Sequence, residues 1–462
     1  MPFVSSWLVL DEDKIMIRNV LRITALGAGT LLALATLALP PSAAQAPAAG
    51  GTVAFTNARI IDGTGRAPIE RGTLVISNGR VTAVGPASTA IPAGAQRIDA
   101  SGKTIVPGFI NDHAHLNVVG GATLPVRDDL IRRLKMYAAY GVTSTVSLGS
   151  TQADELEGFK LMQEQDRVGL DRARLYTAGL NAIGKTPEEA RASVDRLADL
   201  HAHVIKFHIN GNPNDMNRPT WSAIIDESHK KGLKASVHIF YHKDAEASVD
   251  DGVDILAHSI RDQDVTPGLI AKLKQKNIAY IPTLTRDLSV FVYETTPAFL
   301  SEPFFQRGMS LYKEQVSLVS SAEFHDKVKK DPNTEVIRKA LAEANKNLKT
   351  LSDAGITIAM GTDSGVAGAG NVGRWQGYFE QVEMEMMNKA GMSPMKVIVA
   401  STGDAAKVMG LKNVGTLQAG NWADLVVLRA NPLDNIRNTR AIDSVWIAGA
   451  KLADVQPGTS TN

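Results

Sequence analysis

The sequence predicts an α/β protein, a (β/α)8 TIM barrel with a small β-sandwich domain built from the N- and C-terminal segments. Three observations carry that prediction. Between residues 105 and 410, eight short apolar runs alternate with amphipathic stretches of helical period, the pattern of successive βαβ units. Short alternating strands bounded by turn dipeptides flank this stretch on both sides. Histidines and an aspartate also fall at the C-terminal ends of the apolar runs, where such barrels build active sites. A doubly wound open sheet is the competing reading of the alternation. The chain of 462 residues has room for either, at roughly 150 residues per domain.

Residues 1–46 read as an export signal region. Arg18 and Arg22 precede an apolar run from Ile23 to Leu39, and Pro40-Pro41 with Ser42-Ala43-Ala44-Gln45-Ala46 follow as a cleavage-like stretch of small residues. The run is short for a membrane span and lacks basic residues on its far side. The expectation is a cleaved signal and a periplasmic or secreted bacterial protein, with no stable membrane partner after cleavage. Asp11, Glu12 and Asp13 are out of place ahead of a signal, which points to Met16 as the start.

Residues 52–104 form the N-terminal part of the sandwich, with strands over 53–55, 58–61, 73–76, 80–84 and 96–99. Asp62-Gly63, Asn78-Gly79 and Ser101-Gly102 supply the turns. Residues 105–410 form the barrel, with runs at 105–110, 142–148, 173–178, 203–209, 234–240, 255–259, 279–284 and 356–361. Helices are predicted over 126–140, 186–200, 219–231 and 334–353. In the last, Ile337, Leu341, Ala344, Leu348 and Leu351 recur at helical spacing and Gly355 follows as a stop. After residue 400 two short helices are expected. Residues 411–455 then return to strand pattern at 424–428 and 444–447, completing the sandwich.

Composition narrows the function classes. Lys and Arg number 49 against 48 Asp and Glu, a net charge of +1, so the basic field of a nucleic-acid binder is absent. There is no cysteine. Disulfides, thiol nucleophiles, iron–sulfur clusters and thiolate-bound zinc are thereby excluded. Metal chemistry must use His, carboxylate or Lys.

The histidines supply such a set. His113 and His115 lie two apart just past the first run, and residues i and i+2 of a strand share a face. His238 lies near the end of the fifth run, His258 near the end of the sixth, and Asp363 follows the eighth. Four imidazoles and a carboxylate from separate strand ends suit Zn2+ or a similar divalent ion. A lone His-x-His is weak evidence; His201 and His203 form one too, at the wrong end of a strand, and read as structural. Lys206 lies inside the apolar fourth run, where an unpaired ammonium is costly. Two readings stand: a lysine salt-bridged in the core, or a neutral amine that forms a carbamate with CO2 and bridges two metals.

These residues resemble the amidohydrolase superfamily, in its imidazolonepropionase-related branch with bacterial Xaa-Pro-type dipeptidases and ochratoxin-type amidases. The resemblance spans about residues 52–451. Its specific parts are Pro107-Gly108 through His115, Ile205-Lys206, Val237-His238, Ala257-His258-Ser259, Gly361-Thr362-Asp363 and the stretch from Gly415 to Leu428. Asn111 departs from the aspartate that many members carry there, without removing a ligand.

The resemblance implies a binuclear site for two Zn2+ or other divalent ions, with His113, His115 and Asp363 on one ion and His238 and His258 on the other. Lys206 as a carbamate would bridge them. The implied reaction is hydrolysis of an amide C–N bond, in a dipeptide or N-acyl amino acid, by a metal-bridging hydroxide with Asp363 as proton shuttle. A mononuclear cyclic-amide hydrolase or deaminase of the imidazolonepropionase type is the alternative, and Lys206 argues against it. Substrate-binding candidates on loops after the strands are His208, Tyr241, His242, Arg286 and Arg374. An arginine there can pair bidentately with a substrate carboxylate. The aromatic-rich segment 286–331 reads as a lid, a pocket wall or an elaborated helix pair. The expected partner is a small amide or peptide, and a homo-oligomer is compatible with all of this.

Overall fold

The computed structural model of the protein describes residues 51–116, 124–212, 215–365 and 372–453. The expected export region at 1–46 lies outside the described residues. No helix among the described residues is long and apolar enough to cross a membrane.

The N-terminal strands are β1 (Val53–Ile60), β2 (Ile69–Ser77), β3 (Arg80–Gly85), β4 (Gln96–Asp99) and β5 (Thr104–Pro107). The two runs expected at 53–55 and 58–61 are one strand, irregular around Asn57, which adopts a left-handed φ of 61°. β2 and β3 turn through Asn78-Gly79, both at positive φ, the requirement of a tight two-residue hairpin turn.

The barrel stretch runs β6 (Phe109–Ala114), α1 (Val126–Ala139), β7 (Val142–Ser147), α2 (Glu155–Gln163), β8 (Arg174–Thr177), α3 (Pro187–Asp199), β9 (Ile205–His208), α4 (Arg218–Lys230), β10 (Ala235–His238), α5 (His242–Asp250), β11 (Ile255–Ala257), α6 (Pro267–Gln275) and β12 (Ala279–Ile281). Then come α7 (Leu284–Phe291), the short α8 (Pro303–Gln306), α9 (Met309–Val319), α10 (Ala322–Lys330), α11 (Asn333–Asp353), α12 (Tyr378–Lys389), α13 (Pro394–Ala400) and α14 (Gly403–Met409). Among the described residues one helix, α14, lies between residues 400 and 415, where two were expected. β13 (Leu425–Leu428), β14 (Ile442–Ile447) and β15 (Ala450–Lys451) end the described chain.

The result is a TIM-barrel-like α/β fold. β6, β7 and β8 pair in parallel as one sheet, and β9 to β12 as another. Contacts between the two are sparser than ladders. Backbone bonds from His203 N to Thr177 O and from Ala182 N to Lys206 O link β8 to β9. On the other side the eighth run, around 356–361, forms no ladder strand. It is held by single bridges from Ile358 to Tyr280 and from Ser364 to Ala114.

The first apolar run divides differently from its prediction. β5 pairs with β13 and β1, while β6 pairs with β7, so one hydrophobic stretch serves two sheets. Gly108 makes the break possible, since a Cβ there would lie 1.9 Å from Thr143 Oγ1. The terminal strands form a single connected eight-stranded sheet, where the pattern had suggested a sandwich. The reason is β1, which pairs with β2 on one side and with β4 and then β5 on the other. Its own core contains Phe55, Ile76, Ile105, Leu425 and Trp446, with Phe55 edge-on to Trp446 at 5.1 Å. The apolar faces of α11, α3 and α4 and the interior of the parallel strands share the main core. A third cluster, largely aromatic, joins α8, α9 and α12.

Candidate metal centre

The strands deliver their polar residues to one place. His113 lies inside β6 rather than beyond it, and His115 follows two residues on. Both Nε2 atoms face Asp363 Oδ1, at 3.4 Å and 2.8 Å. The His258 ring packs between those of His113 and His238, with centroids 4.4 Å and 4.2 Å apart. His208, paired with His238 in the β9–β10 register, stacks on it at 4.6 Å. These five histidines and Asp363 line a cavity of about 300 Å3, together with Gly149, Ser150, Asn181, Arg286 and Arg374.

The geometry is held from outside the cavity. His115 Nδ1 lies 3.2 Å from Gly149 O and His258 Nδ1 2.7 Å from Thr283 Oγ1, outer contacts that orient each ring for a ligand role through Nε2. His258, Thr283 and Asp363 all take positive φ, 77°, 50° and 58°. Such strain at three strand ends around one cavity marks a functional site.

Electrostatics favour the ligand forms. Burial holds His113, His238 and His258 well below the ordinary imidazole range, aided by Lys206 and by neighbouring rings. Burial and Lys206 bring His208 down to about 3. Burial pushes the Asp363 carboxyl up, but Arg374 first, then His115 and His113, outweigh it and hold the group well below the carboxylate range. Arg374 Nη1 donates to Asp363 Oδ2 at 2.6 Å.

Lys206 is completely buried in β9, and its Nζ has no hydrogen-bond partner. The reading as a core salt bridge is therefore corrected: no carboxylate lies on the ammonium. Burial lowers its pKa to about 7. His113 is likewise buried with both ring nitrogens unpartnered. Ligand atoms of His113, His258 and Asp363 lie within 4.8 Å of one another. Orphaned donors and a carboxylate converging at that spacing fit a divalent cation.

Of the substrate-binding candidates, His208, Arg286 and Arg374 line the cavity, while Tyr241 and His242 do not. Tyr241 precedes α5 and packs on Phe240, with ring centroids 4.9 Å apart. His242 is buried and its ring contacts Thr266. After β10 ends at His238 the chain enters α5 at His242, and both side chains pack on neighbouring residues instead of the cavity. His203, set aside as structural, bonds Met409 O at 2.8 Å.

Sequence reasoning missed Gly149, Ser150, Asn181, Thr283 and Glu383. The first two directly follow the second apolar run, a position that already signals the active face. Thr283 and Glu383 carry no such mark.

The segment after β12 is an aromatic clamp on the loop that carries Arg374. The Tyr293 hydroxyl donates to Gly373 O and accepts from Trp375 Nε1, Gln315 Oε1 accepts from Gly373 N, and the Tyr312 hydroxyl donates to Gln376 O. Trp375 is buried against Phe305 and Tyr312.

The sequence profile of the amidohydrolase family matches residues 104–452. Imidazolonepropionase of Streptomyces avermitilis is 22% identical over 362 residues, 76% of this chain and 79% of that one. Among solved structures, a Xaa-Pro dipeptidase with methionine bound in its active site matches with a TM-score of 0.66 at 17% identity, over 87% of this chain and 99% of that one. A. niger ochratoxinase matches with a TM-score of 0.65 at 18% identity, over 87% and 96%. At these identities the likeness to the solved structures is one of fold.

Proposed function

The chain belongs to the amidohydrolase family and is a metal-dependent hydrolase of carbon–nitrogen bonds; on that premise we propose that it cleaves the amide of a dipeptide or N-acyl amino acid. The observation that carries the proposal is the cavity itself: five imidazoles, Asp363 and two arginines line it, and the strand that supplies His208 also carries a buried lysine with no hydrogen-bond partner.

In this reading His113, His115 and Asp363 would hold one ion and His238 and His258 the other. Zinc suits the donor set, and Lys206, as a carbamate, would add an anionic ligand. Once bound, the metal pair lowers the pKa of water and polarises the substrate carbonyl. Asp363 takes the proton of the attacking water on a carboxylate oxygen and returns it to the leaving nitrogen. Arg286, whose Nη1 lies 2.8 Å from Asp287 Oδ1, faces the cavity as the group that pairs with a free substrate carboxylate. His208 and Arg374 close the same wall. A cavity of about 300 Å3 suits a small polar substrate. The order of basic, apolar and small residues in 16–46 supports export.

A mononuclear cyclic-amide hydrolase or deaminase is the second reading, favoured by the likeness to imidazolonepropionase. Two ions per chain and a carbamate on Lys206 would separate the first reading from it. The deciding experiment is a screen of zinc-loaded protein against N-acyl amino acids, Xaa-Pro dipeptides and ochratoxin-like amides. Turnover of an open-chain amide is expected; inactivity on all of them, with activity on lactones or cyclic imides, refutes the proposal.

A further inference from the structure

Glu383 is buried on α12, lines no part of the cavity and takes no part in the chemistry above. Its oxygens are nonetheless fully used. Oε1 accepts from Leu284 N at 2.8 Å, and Oε2 from Thr285 N and from the Thr285 hydroxyl, both at 2.7 Å. Leu284 and Thr285 open α7. The carboxylate thus satisfies two of the amides that a helix leaves unpaired in its first turn, at the positive end of the helix dipole. Burying it there is costly, and burial pushes its pKa up to about 7.

Helix capping is ordinarily done by the residue just ahead of the helix. Thr186, Asn217, Thr266 and Ser393 do so for α3, α4, α6 and α13, each accepting from the amide three residues on. Thr283 stands in that place before α7 with a suitable side chain, yet makes no capping bond. Its backbone is left-handed, an unfavourable state for a β-branched residue. Its hydroxyl is on His258 Nδ1 instead.

We propose that Glu383 is a positioning residue of the metal centre: it caps α7 from a neighbouring helix, which frees Thr283 to orient His258. A hydroxyl can serve the helix or the imidazole, and the buried carboxylate decides the contest. Without it the α7 amides lose their acceptor, and the Thr283 hydroxyl, at the N-cap position, competes for them at the expense of His258. The proposal rests on the reading of His258 as a metal ligand.

The test is a double-mutant cycle read as zinc affinity, by competition with a chromophoric chelator, alongside melting of the metal-free proteins. Glu383→Gln and Thr283→Val should each weaken zinc binding about 10-fold or more, the usual effect of losing a partner behind a ligand. The double variant should bind no more weakly than Thr283→Val, because both changes remove one interaction. Unchanged zinc affinity in Glu383→Gln overturns the proposal even if its melting temperature falls, as do losses that multiply in the double variant. If Glu383→Gln does not fold, Glu383→Asp goes through the same cycle and is read the same way. A wild-type protein that binds no divalent ion overturns the metal-centre reading as well, whereas normal wild-type binding with an unaffected variant overturns this inference alone.

Discussion

Lys206 shows how one residue reports on the site. Its pKa falls from 10.5 in an exposed chain to about 7 in the fold, through burial. Between those values the unfolded chain holds a proton that the folded one lacks, so stability rises with pH across that window. In metal-free, CO2-free buffer the stability difference between the wild type and Lys206→Met should therefore move in favour of the wild type, by up to about 1.4 kcal/mol per pH unit from pH 7 to 10. Denaturant melts at several pH values measure it, and a flat difference contradicts the buried free amine. Asp363 makes a second prediction. Asp363→Asn should keep bound zinc, measured by atomic emission, while turnover falls about 100-fold or more. Activity that persists with full metal content refutes the proton-shuttle role.

At the scale of elements, the segment from α7 to α10 holds the Arg374 loop in place, and that answers the lid-or-wall question raised by its aromatic content. Tyr293→Phe removes one hydroxyl that serves both Gly373 O and Trp375 Nε1. Two buried polar groups then lack a partner, which costs about 1–3 kcal/mol each. The expected outcome is a lower melting temperature together with a raised KM, because Arg374, which lines the cavity and bonds Asp363, is less well held. An unchanged KM would show that the clamp serves stability only. The same scale explains the one element boundary that moved most. The run at 105–110 is uniformly apolar, so its pattern cannot tell one strand from two. The division at Gly108 is set by what lies beside it, the Thr143 side chain.

Across the whole molecule, the donors come from β6, the ends of β9, β10 and β11, and the segment after 356–361, so a bound cation ties together parts of the chain far apart in sequence. Metal should therefore stabilise the fold globally. At a free zinc concentration 100 times Kd the gain is about 2.7 kcal/mol. Treatment with a strong chelator should lower the melting temperature and zinc should restore it, while calorimetry that shows no difference between loaded and stripped protein would count against the shared centre. The sparse contacts at the two seams, between β8 and β9 and beside the 356–361 segment, make such cross-linking the more telling.

The sequence by itself determined the alternation of strands and helices and the family likeness. Strand periodicity and strand-end position are local properties, so His113, His115, His238, His258 and Asp363 could be singled out from position, and all five line the cavity. Tertiary structure decided what depends on neighbours distant in the chain. It placed His208 against His238 while packing Tyr241 on Phe240 and His242 on Thr266, outside the cavity lining. It connected the terminal strands into a single sheet through β1 and β5. It also brought Glu383 to the start of α7, 99 residues earlier in the chain. A buried glutamate on a helix face leaves no periodic trace, since its partners are backbone amides that every sequence possesses.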